Sequence, residues 1–249
     1  MKKILLLVVA ALMAGHVFAQ EIQNPEAKNA GNAAYKAKNY TEAYTQWDAY
    51  LKANNYNDAA CCYNAATAAN KAKMYNEALA YYDKAIAAKY KLASAYSAKA
   101  KVYKAQGDDA KYIAEIEAAM KAVPNNPTLE KMYATHYLLA GQAAQKANKL
   151  ADAEAAYEKV VGMTNRGYKS QGLTVLAQMY FNNGIKVQEA ATKVMNTDKE
   201  KFEAGKAEAL AAYNKALDYC MQAISASNTN TDATELKKQI DTAIANLNK

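Results

Sequence analysis

The sequence predicts an all-α protein, an α-solenoid of about five helix–turn–helix repeats closed by a C-terminal helix. Alanine and lysine dominate, and the 249 residues include only 3 prolines and 9 glycines, a composition that favours helix. Tyr75, Ala78, Tyr82 and Ala85 follow one another at helical spacing, as on a helix with one buried face. The same pattern returns along the chain at intervals of 34 to 41 residues, which indicates a repeat protein.

The N-terminus has the features of a signal peptide. Lys2 and Lys3 precede an apolar run, residues 4–13, that is too short to span a bilayer as a helix. Val17-Phe18-Ala19 then predicts cleavage after Ala19, with an uncleaved membrane anchor as the alternative. No later run is long and apolar enough to cross a membrane. We therefore expect residues 20–249 to be exported, to the periplasm or outside the cell, without stable membrane insertion.

The charge pattern argues against nucleic-acid binding. The formal charge is +7, and loss of Lys2 and Lys3 would lower it to +5. Arg166 is the only arginine, and the lysines alternate with acidic residues instead of forming one basic face. This pattern is typical of solvated helix surfaces, with a mild attraction to acidic partners or anionic surfaces as the alternative.

Three cysteines are present: Cys61, Cys62 and Cys220. An odd number leaves at least one free thiol or an intermolecular bridge, and a bond between the adjacent pair would be strained. The sequence has no CxxC motif, and no histidine accompanies the cysteines, so the pattern does not indicate a metal or redox site. We expect all three to be small core residues.

A small residue marks the middle of the first helix in each repeat. The five markers are Gly31, Ala66, Ala100, Gly141 and Ala177, with successive spacings of 35, 34, 41 and 36 residues. Twelve residues after three of them comes another alanine, and four residues later a large ring: Ala43 and Trp47, Ala78 and Tyr82, Ala153 and Tyr157. Two helices approach closely only where both carry small side chains, and the ring would fill the remaining space.

This spacing resembles the tetratricopeptide repeat, a helix–turn–helix unit of about 34 residues. The best matches are residues 31–51, 66–86 and 141–161. In the third unit, Gly107 fits the turn and Pro124-Asn125-Asn126 fits the end, but Asp109 and Tyr112 replace an expected aromatic and small residue. We expect that pair to pack more loosely. The resemblance implies a right-handed solenoid with units at about 24–57, 59–92, 93–126, 127–167 and 170–226.

The last two units are longer than the repeat period. Asn126 and Pro127 suit a helix start, so we expect one long helix from about 128 to 147. In the fifth unit, Gly184 fits the turn, but the pattern of the second helix begins about twenty residues further along the chain than the repeat period predicts. Both helices are therefore predicted to be longer by about ten residues. The result would be an arm over residues 185–204 of roughly 15 Å. A capping helix at about 231–248 should close the array.

We find no catalytic or cofactor motif. His136 is the only histidine after the predicted cleavage site, which leaves histidine dyads and most zinc sites incomplete. Gly-rich phosphate loops are absent, and the pair Glu154 and Glu158 lies one helical turn apart like many surface pairs. We therefore expect a protein that is not an enzyme and binds neither cofactor nor metal.

The resemblance implies that the first helices of the units line a concave groove for a peptide or partner helix. Carried over residue by residue, the groove residues are Lys28, Asn32, Tyr35, Asn64, Thr67, Asn70, Ser97, Lys101, Lys104, Gln142, Gln145 and Lys146. Amides there could bond a peptide backbone, and lysines would favour an acidic segment or a free carboxylate. A carboxylate clamp of the family is matched at Lys28, Asn32 and Asn64, but Ser94 and Ala98 replace its other lysine and its arginine.

We therefore expect a protein–protein interaction module or adaptor of the cell envelope, with the arm as a second contact surface. Two alternatives remain. One is a factor that binds envelope glycan or another surface through tyrosine and lysine. The other is a structural spacer that self-associates through its ends.

Overall fold

The computed structural model describes residues 23–247, and the predicted signal peptide lies outside them. Within this range the chain folds into eleven α-helices and no strand, which confirms the all-α class. None of these helices combines the length and the apolar character needed to cross a membrane.

The chain forms two compact units, one ending at Lys84 and the other beginning at Ala85, inside the fourth helix. The first unit contains α1 (Pro25–Lys36), α2 (Tyr40–Ala53), α3 (Ala59–Lys71) and most of α4 (Tyr75–Ala87). The second contains α5 (Leu92–Ala105), α6 (Asp109–Ala122), α7 (Pro127–Lys146), α8 (Leu150–Val161), α9 (Arg166–Lys193), α10 (Lys199–Ala226) and α11 (Thr231–Leu247).

Glycine permits the closest helix approaches in both units. A Cβ added at Gly31 on α1 would lie 2.6 Å from Cδ1 of Trp47 on α2. One added at Gly141 on α7 would lie 2.3 Å from Cε1 of Tyr157 on α8. Both rings are 3% exposed, so they fill the space between paired helices as the marker pattern predicted.

The fifth helix pair uses a different small residue from the predicted marker. Gly184 does not form a turn, because α9 runs through it and the residue is buried. A Cβ at Gly184 would lie 2.6 Å from Cε1 of Tyr213 on α10. Gly184, seven residues after the marker Ala177, is therefore the counterpart of Gly31 and Gly141.

The third pair, α5 and α6, has an aliphatic side chain in place of the ring. Ile116 is fully buried at the position where the other pairs have Trp47 or Tyr157. An ion pair between Lys99 and Glu115 (2.9 Å), with side chains 13% and 12% exposed, also joins the two helices. Gly107 ends α5 with a φ of 77°, as its predicted turn requires.

The long helix expected at about 128–147 is α7. It begins as predicted, with Pro127 in its first turn and Asn126 as its N-cap. The side-chain oxygen of Asn126 accepts from the backbone N–H groups of Thr128 (3.1 Å) and Leu129 (3.2 Å).

The arm over residues 185–204 is formed by α9 and α10, which each span 28 residues. Gly205 allows α10 to lie against α9, since a Cβ there would be 2.6 Å from Cβ of Ala191. At the tip, Asp198 caps α10 by accepting from the backbone N–H of Lys201 (3.0 Å), and Met195 is 46% exposed.

Helix α11 packs on α9 and α10 through Ala233, Leu236, Ile240 and Leu247, which cover the apolar end of the last pair. Asn230 fixes its start. The Asn230 amide nitrogen donates to the hydroxyls of Ser170 (2.8 Å) and Thr174 (2.9 Å), and its oxygen accepts from the backbone N–H of Ala233 (3.0 Å). Ser170, which is 1% exposed, donates in turn to the carbonyl of Ala223 (2.8 Å).

Candidate functional site

The predicted groove residues of the first compact unit, which holds the first two repeats, lie on α1 and α3. Asn32 and Asn64 are exposed, whereas Tyr35, Thr67 and Asn70 are half-buried. Tyr35 packs between the rings of Tyr40 and Trp47, with centroid distances of 5.4 and 5.5 Å. These rings contact one another and do not form an open stacking surface.

Lys28, which matches one position of the family's carboxylate clamp, already has an acidic partner. Its ammonium lies 2.7 Å from Oδ2 of Asp58, which also accepts from the Tyr50 hydroxyl (3.2 Å). The hydrogen bond to Asp58 raises the pKa of Lys28. Burial acts to raise the pKa of Asp58, but the hydrogen bonds from Lys28, the Cys61 N–H and Tyr50 outweigh it and lower that pKa. This charge is thus balanced within the fold.

On α5, Lys101 and Lys104 are exposed, but Ser97 is 7% exposed and cannot line an open groove, contrary to the prediction. Its hydroxyl donates to the carbonyl of Ser94 (3.0 Å) instead. Lys104 pairs with Asp109 (2.5 Å). His136 lies half-buried nearby, and burial lowers its pKa, with Lys104 adding to the effect.

The second unit contains a cleft of about 520 Å³ between α7, the start of α8, and α9. We call it the α7–α9 cleft. It is lined by Gln142, Gln145, Lys146, Leu150, Met179, Asn182, Asn183, Ile185, Lys186 and Glu189. The structure thus brings together three predicted groove residues, Gln142, Gln145 and Lys146, with a second wall on α9.

The two walls are held in place by hydrogen bonds at the start of α9. Asn165 caps α9 through its oxygen, which accepts from the N–H groups of Gly167 (3.0 Å) and Tyr168 (3.3 Å). Its amide nitrogen donates to Oε2 of Glu130 on α7 (2.9 Å), a carboxylate that is only 7% exposed. Asn165 therefore caps α9, which forms the second wall, and links it by a hydrogen bond to α7, which forms the first.

A second set of contacts joins α8, α9 and α10. Lys215 on α10 donates to the hydroxyl of Tyr180 (2.5 Å) and to Oε1 of Glu154 on α8 (3.0 Å). The hydrogen bond to Tyr180 raises the pKa of Lys215 strongly, so this residue remains charged.

The lining has the chemistry of a peptide-binding surface. Four amides can donate to and accept from a backbone, while Leu150, Met179 and Ile185 offer apolar contact. Lys146 and Lys186 have no acidic partner within residues 23–247, and Glu189 is the one acid in the lining. None of the lining residues carries an aromatic ring, the usual platform for a sugar.

The α9 wall was missing from the predicted groove. Asn182 lies five residues after the marker Ala177, the same offset that gave Lys146 from Gly141. That signal was present in the sequence. Counted from Gly184, Ile185 and Glu189 stand at the offsets that give Gln142 and Lys146 from Gly141, so they were missed because Ala177 was taken as the marker.

The remaining reactive groups do not assemble into a site. Cys61, Cys62 and Cys220 are buried and free, as expected for core residues. Burial raises the pKa of Cys61 to about 12 and that of Cys62 and Cys220 to about 11, which suppresses the thiolate. Among residues 23–247, no group of histidine, cysteine and acidic side chains could hold a metal ion.

Comparison with solved structures finds similar proteins. A TPR repeats protein from Bacteroides fragilis is 37% identical to this chain with a TM-score of 0.82, and the match covers 90% of this chain and 100% of that one. A tetratricopeptide repeat protein from Parabacteroides merdae is 15% identical over 87% of this chain and 98% of that one, with a TM-score of 0.42. The TPR2AB domain of yeast Sti1, in complex with pHSP90, is 16% identical over 89% of this chain and 84% of that one, with a TM-score of 0.40.

No protein-family profile and no curated protein matches the chain.

Proposed function

Since the chain belongs to the tetratricopeptide repeat family, we propose that it is a non-enzymatic adaptor that binds a segment of a partner protein in the α7–α9 cleft. The family fold is in general a protein–protein interaction fold. The observation that carries the proposal is the cleft lining, which combines four amides with three apolar side chains between two fixed helix walls.

The segment bound is acidic. Lys146 lies on one wall of the cleft and Lys186 on the other, and neither is neutralised by an acidic residue within the described range. An acidic side chain on the segment would therefore gain an ionic hydrogen bond without breaking one in the adaptor.

The partner is a protein of the cell envelope, and the adaptor acts in the periplasm or outside the cell. The basis for this part of the proposal is the N-terminal sequence, with its two lysines, short apolar run and small residues at 17 and 19. Sequencing the N-terminus of the protein from its own cells tests it. A mature chain that starts at Gln20 supports export, and an intact Met1 contradicts it.

Lysine-directed crosslinking in cells, followed by mass spectrometry, tests the binding site. We expect crosslinks from Lys146 and Lys186 to one acidic envelope protein, and loss of that protein in a Gln142→Ala/Asn182→Ala variant. Gln171→Ala is the control, since Gln171 is exposed on α9 but does not line the cleft. Retention of the partner by the double variant would contradict the proposal. Recovery of protein-free glycan instead would favour a surface-binding role.

A further inference from the structure

In four helix pairs, the core ring reaches a polar residue on the groove side of the first helix. In the first unit, Trp47 Nε1–H donates to Oδ1 of Asn32 (3.3 Å), and the hydroxyls of Tyr82 and Thr67 lie 3.4 Å apart. In the second unit, the Tyr157 hydroxyl donates to Oε1 of Gln145. The Tyr213 hydroxyl likewise donates to Oε1 of Gln188, and both of these distances are 2.6 Å.

In each of these hydrogen bonds to an amide, the oxygen and not the NH₂ group faces the core ring. The indole nitrogen of Trp47 can only donate, so it must meet the oxygen of Asn32. The Tyr157 and Tyr213 hydroxyls donate to the amide oxygens of Gln145 and Gln188, and burial raises the pKa of both hydroxyls. With the oxygen turned to the ring, the NH₂ group of each amide is left for other partners.

A fourth amide, Asn182, is oriented in the same sense. Oδ1 of Asn182 accepts from Nε2 of Gln178 (2.9 Å) on the preceding turn of α9, which leaves the Asn182 NH₂ group for the cleft. Gln145 and Asn182 line the α7–α9 cleft, and Gln188 lines a neighbouring hollow of about 500 Å³ that shares Ile185 and Glu189 with it. Together with Lys146 and Lys186, the surface presents many donors and one carboxylate, Glu189.

We propose that Tyr157 and Tyr213 are positioning residues that hold Gln145 and Gln188 with their N–H groups toward the ligand, so that the α7–α9 cleft and the neighbouring hollow together select a segment rich in hydrogen-bond acceptors. The acceptors are the carbonyls of an extended backbone and side-chain carboxylates. This inference rests on the proposed function. It adds that core hydroxyls set the selectivity, although neither ring touches the ligand.

The test measures binding of a fluorescein-labelled oligo-L-glutamate to the full chain by anisotropy at low salt. Side-chain NH₂ signals are followed by NMR in the same titration. We expect the probe to shift the NH₂ signals of Gln145, Asn182 and Gln188.

Tyr157→Phe and Tyr213→Phe keep the ring and the net charge but remove the hydroxyl. Each should weaken binding about threefold or more, because the amide it released is free to rotate. Tyr168→Phe is the control, since no hydroxyl bond of Tyr168 is found in the described chain, and it should bind like the wild type.

Gln145→Glu gives a reciprocal test, because it keeps an oxygen for Tyr157 but removes the donor. It should reduce binding of oligo-glutamate and increase binding of an oligo-L-lysine probe, with unchanged helicity by circular dichroism. Unchanged affinity in both Tyr→Phe variants would overturn the positioning role while the adaptor function stands. Preferential binding of oligo-lysine by the wild type would overturn the acceptor selectivity. Failure of both probes, together with no crosslinked partner at the cleft, would overturn the proposed function as well.

Discussion

At the residue scale, the contact between Gly141 and Tyr157 sets how closely α7 and α8 approach. The Cβ of an alanine at position 141 would lie 2.3 Å from Cε1 of a ring that is 3% exposed. Neither helix can yield without disturbing the packing around that ring. Gly141→Ala should therefore destabilise the second unit by about 1–3 kcal/mol, even after the gain in helix propensity. Urea unfolding followed by circular dichroism measures the change.

Gly162→Ala is the matched control for this prediction. Gly162 has a φ of −68°, and the nearest atom to an added Cβ, the carbonyl oxygen of Glu158, is 3.5 Å away. Its replacement should leave stability unchanged or raise it by up to about 1 kcal/mol. Equal loss of stability in both variants would show that the ring contact is not the cause.

At the element scale, α11 is fixed to the second unit by one polar side chain as well as by its apolar face. Asn230→Ala removes the amide N–H groups that donate to the hydroxyls of Ser170 and Thr174. It also removes the oxygen that caps the N-terminus of α11. We expect a loss of about 1–3 kcal/mol, because the buried Ser170 loses a partner and the helix loses its cap. Hydrogen exchange should rise in α11 but not in α7 and α8. Asn228→Ala, at an exposed position of the same loop, should leave exchange unchanged. A uniform rise over the whole unit would contradict a local role for Asn230.

At the scale of the whole molecule, the two compact units can be followed separately. Trp47 is the only tryptophan and lies in the first unit, so its fluorescence reports that unit alone. The pKa of Asp58 is lowered in the fold despite burial, by hydrogen bonds from Lys28, Cys61 and Tyr50. A carboxyl with a lowered folded pKa stabilises above its unfolded pKa of about 4, and this contribution disappears as the pH falls through the folded value.

Asp58→Asn should therefore destabilise the Trp47-monitored transition by about 1 kcal/mol at pH 7, since asparagine keeps the cap of α3 but loses the ion pair. The wild type and variant should converge as the pH falls through the lowered pKa of Asp58. Asp232→Asn, at an exposed position in the other unit, serves as the control and should leave this transition unchanged. A constant difference between wild type and Asp58→Asn at all pH values would show that packing, and not charge, is responsible.

Helix class, caps and repeat order were predictable from the sequence, because small residues, rings and capping residues recur at fixed offsets. The fifth pair shows the limit of this reasoning. Ala177 and Gly184 are seven residues apart, which is about two turns, so they share one face of α9. Periodicity cannot decide which of them lies opposite Tyr213; that depends on the length of both helices. The α9 wall of the cleft was missed for the same reason, because Gly184 and not Ala177 is the counterpart of Gly141, which gives Ile185 and Glu189 the positions of Gln142 and Lys146.

The burial of all three thiols has a practical consequence for labelling chemistry. Maleimides react with the thiolate, and Cys61, Cys62 and Cys220 are at most 2% exposed, with pKa values of about 11 or higher. The native chain thus needs no cysteine removal before a single dye is attached. Met195, half exposed at the arm tip, is a position at which a substituted cysteine would carry a fluorophore without touching the core.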